Sequence, residues 1–178
     1  MRMIQMSSRC VTRVENFLLF GYSELANFHI LETSIDIEGT KVDFELGGQK
    51  RSVHLKTLGE HHAMNAAAAL LVVSFLNLDM DQAIGALEGL EFAETGRMQP
   101  ISGKSGQIVI NDAYNASPES MQAALQTLAT LGRQGFRTTA VLGGMAELGE
   151  FSNEQHDRIG RLAVRYNIDQ VVVMARRR

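Results

Sequence analysis

A short segment of the sequence, residues 111–118, concentrates acidic, amide and aromatic side chains. It contains Asp112, Tyr114 and Asn115 and directly follows the apolar run at 107–110. A carboxylate in such a place can accept hydrogen bonds from ribose hydroxyls, and amides can donate and accept at a fixed geometry. The alternative is that Asp112 and Asn115 form only Asx turns that support the start of the next helix. Local chemistry leaves both interpretations open.

Two further groups of polar residues precede this segment. His61, His62 and Asn65 fall around the start of an alanine-rich run, and the N-terminus of a helix favours phosphate or another anion. Adjacent histidines that merely begin a helix are the simpler interpretation. Arg97 follows Gly96, where its fork of donors suits a polyphosphate; a solvated arginine is the alternative.

A glycine-rich segment lies later in the chain, and two polar residues there are candidates for substrate binding. Residues 143–150 read Gly-Gly-Met-Ala-Glu-Leu-Gly-Glu, and His156 lies six residues farther on. Glycines allow a ligand to approach the backbone closely, and Glu147 could receive a substrate ammonium. The alternative for Glu147 and His156 is that they are ordinary polar residues beside a loop.

The letters Gly-Lys-Ser at 103–105 do not form a P-loop. The full pattern requires a glycine at position 98, where the chain has Met98, and a helix after the serine. A turn and a strand are predicted to follow instead. We therefore predict a hairpin turn here, and no other Walker-type sequence occurs in the chain.

The first half of the chain is predicted to form a small β-meander followed by two helices. Three segments alternate apolar and polar residues: 28–37, 41–46 and 52–56. Gly47 and Gly48 predict the turn between two of them. Residues 62–76 are apolar nearly all round, which predicts a buried helix. Asp79 is predicted to cap the second helix, whose apolar face contains Met80, Ala83, Ile84 and Leu87.

The last third alternates predicted strands at 107–110, 138–142 and 170–174 with helices. Ser117 and Pro118 predict the start of the first helix, and Gly132 its end. Ser152 with Gln155 predicts a capping box for the second. This order predicts a parallel sheet whose ligand lies at the carboxyl ends of its strands, which here are residues 111–115 and 143–147. A sheet that ends on its third strand indicates a truncated domain.

Composition excludes several classes of protein. The 178 residues include 17 basic and 20 acidic side chains, a net charge of -3, so nothing indicates nucleic acid or an anionic membrane as a partner. The single cysteine, Cys10, permits no internal disulfide or zinc site, which fits a reducing, cytoplasmic setting. We find no signal peptide and no apolar run long enough to span a membrane.

Four stretches of the sequence, taken in order, resemble the Mur ligases of bacterial peptidoglycan synthesis. They are residues 59–66, 96–97, 111–121, and 141–149 followed by His156. The runs Tyr-Asn-Ala-Ser-Pro and Met-Ala-Glu-Leu-Gly are the specific ones. They are similar to the branch that adds D-alanyl-D-alanine to UDP-N-acetylmuramoyl-tripeptide. The resemblance covers about residues 40 to 174.

This resemblance implies an α/β fold made of parts of two domains. Residues 21–98 would form the C-terminal part of a central ATP-binding domain, a small β-meander plus helices. Residues 99–178 would form the first half of an incomplete Rossmann-like parallel α/β domain, and residues 1–20 stay unassigned. The family's P-loop and magnesium ligands would belong to an upstream part.

The resemblance also implies a cytoplasmic, ATP-dependent ligase that uses Mg²⁺. ATP would phosphorylate the tripeptide carboxylate to give an acyl phosphate; the amine of D-alanyl-D-alanine would then attack it, and phosphate would leave. His61, Asn65, Arg97, Asp112, Tyr114 and Asn115 would bind the nucleotide, with Asn65 near the adenine, Arg97 at the phosphates and Asp112 at the ribose. Glu147 and His156 match the family's pattern and are candidate substrate-binding residues.

Two other interpretations remain open. The chain could be a nucleotide-binding remnant with no catalysis of its own, or part of another ligase of the superfamily, such as a sister Mur enzyme or a folylpolyglutamate ligase. Because it carries no P-loop, we expect the isolated chain to show no ligase turnover and to be marginally stable.

Overall fold

The structure is a computed structural model that describes residues 17–90 and 96–174. The predicted unassigned segment, residues 1–20, therefore lies mostly outside the described residues. The strands are β1 (Phe20–Gly21), β2 (Phe28–Asp36), β3 (Gly39–Leu46), β4 (Gln49–Leu55), β5 (Gln99–Ser102), β6 (Ile108–Asn111), β7 (Thr139–Leu142) and β8 (Gln170–Val173). The helices are α1 (Glu60–Phe75), α2 (Met80–Gly89), α3 (Pro118–Arg133) and α4 (Ser152–Arg165).

The first half contains the predicted β-meander. Strands β2, β3 and β4 pair antiparallel in sequence order, and the short β1 adds parallel to β2. Gly47 and Gly48, with φ of 60° and 76°, form the tight turn between β3 and β4. Positive φ at both central residues is what a two-residue hairpin turn requires, so the glycine pair fixes the register of this hairpin.

Helix α1 covers the meander with its small residues. Ala63, Ala66 and Ala67 are buried against a core that includes the stacked rings of Phe28 and Phe44. The prediction of a buried helix is confirmed for one face only, because larger side chains near its C-terminal end, including Phe75, are exposed. It also begins at Glu60, two residues earlier than predicted.

Helix α2 confirms the predicted cap and apolar face. The Asp79 carboxylate accepts a hydrogen bond from the backbone N–H of Gln82 at 2.9 Å. The predicted face packs against the core of the first half: Met80, Ala83, Ile84 and Leu87.

Strands β5 and β6 form an antiparallel hairpin. The Gly103 N–H donates to the Gln107 carbonyl at 2.7 Å, which confirms the predicted turn. The structure corrects the prediction that the strand at 107–110 belongs to the parallel sheet, because β6 pairs with β5 instead. A turn this short joins neighbouring strands only as an antiparallel pair, whereas parallel strands require a crossover.

The predicted strand–helix–strand crossover is present at the end of the described chain. Strands β7 and β8 pair in parallel, with α4 between them. Five buried residues form the core under α3 and α4: Leu125, Ala140, Met145, Ile159 and Ala163. The predicted mixed α/β class, a meander with helices followed by a parallel α/β unit, is confirmed.

Two helix boundaries differ from their predictions. Helix α3 begins at Pro118 after a Ser117 cap, as predicted, but continues through Gly132 to Arg133. Its terminating glycine is Gly135, whose φ of 98° suits a residue that follows a helix. The predicted capping box at Ser152 is wrong: a 3₁₀ turn, Gly149–Phe151, leads into α4, so Ser152 is already helical and caps nothing.

The two halves contact one another through α3, which packs against β2 and α1. The Gln134 side chain, just after α3, donates to the Ile35 carbonyl at 2.6 Å. The domain boundary near residue 99 stays a prediction. Within residues 17–90 and 96–174, no helix has the length and apolar character needed to cross a membrane.

Candidate functional site

The position of His61 is set by the turn that begins α1. The buried Thr40 hydroxyl accepts from the Gly59 N–H at 3.0 Å and donates to the Thr57 carbonyl at 2.8 Å. Gly59 has a φ of 128°, and a Cβ there would lie 2.6 Å from the His61 ring. Only glycine therefore lets this turn hold the imidazole so close to the backbone.

The β5–β6 hairpin brings Asp112 and Arg97 together, although 14 residues separate them. The residue pair Gln99 and Asn111 is in register, so the next residues outward meet at the open end of the hairpin. There the Met98 N–H donates to Asp112 Oδ1 at 3.1 Å. The second carboxylate oxygen of Asp112 is then the one available to a ligand.

Arg97 lies over the ring of Tyr114. Its guanidinium carbon is 4.2 Å from the ring centroid, a cation–π arrangement. The backbone holds this pair as well, because the Tyr114 N–H donates to the Gly96 carbonyl at 3.1 Å. A Cβ at Gly96 would lie 3.2 Å from that nitrogen. We call His61, Arg97, Asp112 and Tyr114 the junction cluster, since it joins α1 to the hairpin and the segment before α3.

Electrostatics link the members of the junction cluster. Burial raises the pKa of Asp112, and the Met98 N–H, His61 and Arg97 oppose that rise. Burial lowers the pKa of His61, and the Asp112 carboxylate opposes the fall. A neutral imidazole beside a carboxylate and a guanidinium suits recognition of ribose, base and phosphate groups.

A cavity of about 230 Å³ opens beside the cluster, between α1 and α3. Its walls are Ile35, Glu60, His61, Met64, Ala123, Gln126, Thr127 and Thr130. His61 is thus the cluster residue that also lines the space between the two halves.

Asn65 and Asn115 are the predicted nucleotide-binding residues outside the junction cluster. Asn65 is exposed one turn after His61 on α1. Asn115 is exposed too, and its Oδ1 accepts from the Ala116 N–H at 2.9 Å. That bond agrees with the alternative in which this side chain organises its own loop.

Glu147 and His156 form a second group, between β7 and α4. Glu147 is exposed and has a φ of 61°, a left-handed conformation that is uncommon for a residue other than glycine. The Nε2 atom of His156 accepts from the Met145 N–H at 3.0 Å, and its Nδ1 lies 2.7 Å from the Ser152 carbonyl. Both ring nitrogens are therefore engaged with the backbone.

A larger cavity, of about 500 Å³, contains none of the predicted site residues. It lies at the C-terminal ends of α3 and α4 and includes Arg133, Arg137 and Arg165 in its lining. Arg133 and Arg165 lie in the last turns of their helices, where positive charge offsets the negative end of the helix dipole, and Arg137 interacts with the Asp169 carboxylate. Among the described residues, no cluster of three or more His, Cys, Asp or Glu side chains could hold a metal ion.

Comparison with known proteins identifies the family. Residues 96–178 match the family described as Mur ligase, glutamate ligase domain. The chain is 43% identical over 125 residues to the UDP-N-acetylmuramoyl-tripeptide--D-alanyl-D-alanine ligase of Mycobacterium tuberculosis H37Rv, covering 68% of this chain and 24% of that protein. It is 33% identical over 170 residues to the Bacillus subtilis enzyme of the same name, and this match covers 95% of this chain and 35% of that enzyme. The chain belongs to the Mur ligase family.

Solved Mur ligase structures share the fold. MurF from Acinetobacter baumannii superposes with a TM-score of 0.77 at 28% identity, over 86% of this chain and 33% of that one. MurF from Thermotoga maritima, determined in complex with ADP, superposes with a TM-score of 0.73 at 29% identity, over 85% of this chain and 34% of that one. The chain thus spans about a quarter to a third of the length of these Mur ligase relatives.

Sequence reasoning missed the backbone groups that hold two side chains of the junction cluster in place. The Met98 N–H and the Gly96 carbonyl hold Asp112 and Tyr114, and neither was expected. The signal was present in the hairpin turn at 103–106, which predicts that the residues on either side of it pair.

Proposed function

We propose that this chain is part of an ATP-dependent ligase that adds D-alanyl-D-alanine to UDP-N-acetylmuramoyl-tripeptide, by way of an acyl phosphate, in the cytoplasm. The observation that carries the proposal is the junction cluster, in which residues from three separate stretches converge beside a cavity between the two halves. The Mycobacterium tuberculosis and Bacillus subtilis relatives, both named for this reaction, are 43% and 33% identical to the chain and support the choice of substrates.

The junction cluster would bind the nucleotide, as the resemblance implies. When bound, ATP supplies the phosphoryl group that activates a carboxylate. The Arg97 guanidinium, held over Tyr114, contributes positive charge and directed donors toward phosphate oxygens. The free oxygen of Asp112 accepts from ribose hydroxyls, while the neutral ring of His61 and the exposed amide of Asn65 face the base.

The resemblance assigns the magnesium ligands of the ligase to a part outside this chain. Within residues 17–90 and 96–174, no cluster of three or more His, Cys, Asp or Glu side chains could hold a metal ion. We propose that the magnesium ligands belong to another part of the enzyme.

Glu147 would receive the acceptor. Its exposed carboxylate stands just beyond the carboxyl end of β7, where ligands of parallel α/β sheets bind. An ammonium group is the complementary charge, and D-alanyl-D-alanine carries one. Substrate positioning of this kind is a large part of the catalysis of such a reaction.

A segment exchange tests the proposed function. The matching segment of the Bacillus subtilis ligase would be replaced by the corresponding residues of this chain, and ATP-dependent amide formation measured with D-alanyl-D-alanine and with single amino acids. We expect D-alanyl-D-alanine to be joined in preference. A chimera that melts cooperatively, binds ADP and forms no amide bond would favour the nucleotide-binding remnant. Amide formation with another acceptor alone would favour a sister ligase.

A further inference from the structure

His156 occupies an unusual position for a histidine near a loop, because both of its ring nitrogens contact the backbone. The Ser152 carbonyl can only accept, so Nδ1, 2.7 Å away, must carry the proton. The Met145 N–H can only donate, so Nε2, 3.0 Å away, must be unprotonated. The two bonds together require the neutral Nδ1–H tautomer.

The ring thereby ties the first turn of α4 to the loop after β7. Met145 is anchored a second time, because its side chain is buried in the core with Leu125 and Ile159. Leu148 packs against the same core from the other end of the loop. Between these two anchors, Ala146 and Glu147 project into solvent.

Glu147 has the backbone conformation that such anchoring would impose. Its φ of 61° lies in the left-handed region, which a glutamate adopts only where the surrounding structure holds it there. Holding Met145 and Leu148 in place leaves the two residues between them little freedom. The direction of the Glu147 carboxylate then depends on the Met145 anchor.

We propose that His156 is a positioning residue: through the Met145 N–H it fixes the left-handed turn that presents the Glu147 carboxylate to the acceptor amine. We call the two backbone hydrogen bonds of His156 the clamp. The role of Glu147 in binding the acceptor amine rests on the proposed function, whereas the clamp does not. His156 does not contact the substrate, since a ligand at either ring nitrogen would have to break a backbone hydrogen bond.

Two substitutions distinguish the effect of losing the hydrogen bond to the Met145 N–H from the effect of losing the imidazole ring itself. In His156→Gln the longer amide can still present an oxygen to the Met145 N–H. In His156→Asn the shorter amide can reach the Ser152 carbonyl but not Met145. Asn153→Ala, an exposed change in the same helix, is the matched control.

Nuclear magnetic resonance on the 178-residue chain tests the clamp. We expect the Nδ1–H tautomer in long-range ¹⁵N spectra, and a strong intraresidue HN–Hα NOE at Glu147, as a left-handed residue gives. His156→Asn should speed amide exchange of Met145 about tenfold and weaken that NOE, while His156→Gln and Asn153→Ala leave both near wild type. The Nε2–H tautomer, or unchanged Met145 exchange in His156→Asn, would overturn the clamp.

Kinetics of the chimeric ligase test the acceptor part. His156→Asn should raise KM for D-alanyl-D-alanine about tenfold while KM for ATP stays unchanged, and His156→Gln should restore it. An active chimera whose acceptor KM is indifferent to His156→Asn would overturn the link to the acceptor. A chimera that melts cooperatively and binds ADP but forms no amide bond contradicts the proposed function, and with it the acceptor role of Glu147, while the spectroscopic results still decide whether His156 holds Met145.

Discussion

At the scale of single residues, the adjacent histidines His61 and His62 have different surroundings. His61 lines the cavity and interacts with the Asp112 carboxylate, whereas His62 is half-buried, and its buried Nε2 has no hydrogen-bond partner among residues 17–90 and 96–174. Burial, reinforced by His61, lowers the pKa of His62 to about 4.

This pKa makes a prediction about acid stability. An unfolded histidine binds a proton below about pH 6.5, while folded His62 stays neutral down to about 4. The stability that the neutral ring contributes is therefore complete above pH 6.5 and is lost as the pH falls toward 4. Between pH 6.5 and 4 the free energy of unfolding should therefore fall less in His62→Asn than in wild type. Allowing for solvent screening, we expect the difference to be about 1–2 kcal/mol. Urea unfolding at pH 7.0, 5.5 and 4.0 measures these free energies. An equal loss in the two proteins between pH 7.0 and 4.0 would contradict the prediction.

Arg97 makes a second residue-scale prediction. Arg97→Lys keeps the charge but loses the planar group that lies over Tyr114 and that, in the proposed site, would bond phosphate through two donors. We expect ADP affinity in the chimeric ligase to fall about tenfold for Arg97→Lys and further for Arg97→Ala. Calorimetric titration measures this. Arg133→Ala, at the exposed C-terminal end of α3, is the control and should bind ADP as wild type does; equal affinity in all four proteins would refute the assignment.

At the scale of elements, the sequence predicts what is decided locally. The glycine pair at 47–48, the Asp79 cap and the Ser117–Pro118 helix start each depend on neighbouring residues, and all three are confirmed. The partner of β6 is decided by pairing across a turn, and the predicted partner is wrong. The capping box at Ser152 fails because a 3₁₀ turn, which has no periodic signature, precedes the helix.

Two glycines in the last third should respond oppositely to alanine. Gly135 has a φ of 98° after the end of α3, so a side chain there is strained whatever the space. Gly160 lies inside α4, where a Cβ would meet nothing within 4 Å in the described structure apart from the backbone of the helix itself and the neighbouring residues. We expect Gly135→Ala to destabilise the fold by about 1 kcal/mol and Gly160→Ala to stabilise it by about 0.5–1 kcal/mol. Thermal melts of the two variants measure the difference, and shifts of the same sign would contradict it.

The N-cap of α3 makes a further prediction at this scale. The Ser117 hydroxyl accepts from the Ser120 N–H at 3.2 Å, and the Ser120 hydroxyl accepts from the Ser117 N–H at 2.9 Å. Ser117→Ala should cost about 1 kcal/mol, whereas Ser117→Asn, which keeps a capping oxygen, should be nearly neutral. Chemical unfolding separates the two; equal losses would show that the cap oxygen is not what stabilises this helix.

At the scale of the whole molecule, the candidate site exists because two halves meet. Helix α3 packs on β2 and α1, and the cluster combines a residue of α1 with residues of the hairpin and of the segment before α3. Sequence reasoning proposes each of these residues through the family resemblance. The hairpin turn at 103–106 indicates that Gly96 and Met98 lie close to Asp112 and Tyr114, whereas the position of His61 beside Asp112 depends on long-range packing that no local pattern encodes.

The most direct test of the central claim, that the junction cluster binds a nucleotide, is an NMR titration of the ¹⁵N-labelled chain with ADP and with adenosine. At millimolar ADP we predict amide shifts at Met98, Asp112 and Tyr114 and not at the arginine-lined cavity around Gly135. Adenosine should bind more weakly than ADP, and Arg97→Ala should remove the difference, because Arg97 would contact only the phosphates. Shifts centred on Gly135, or none at the cluster at saturating ADP, would contradict the account.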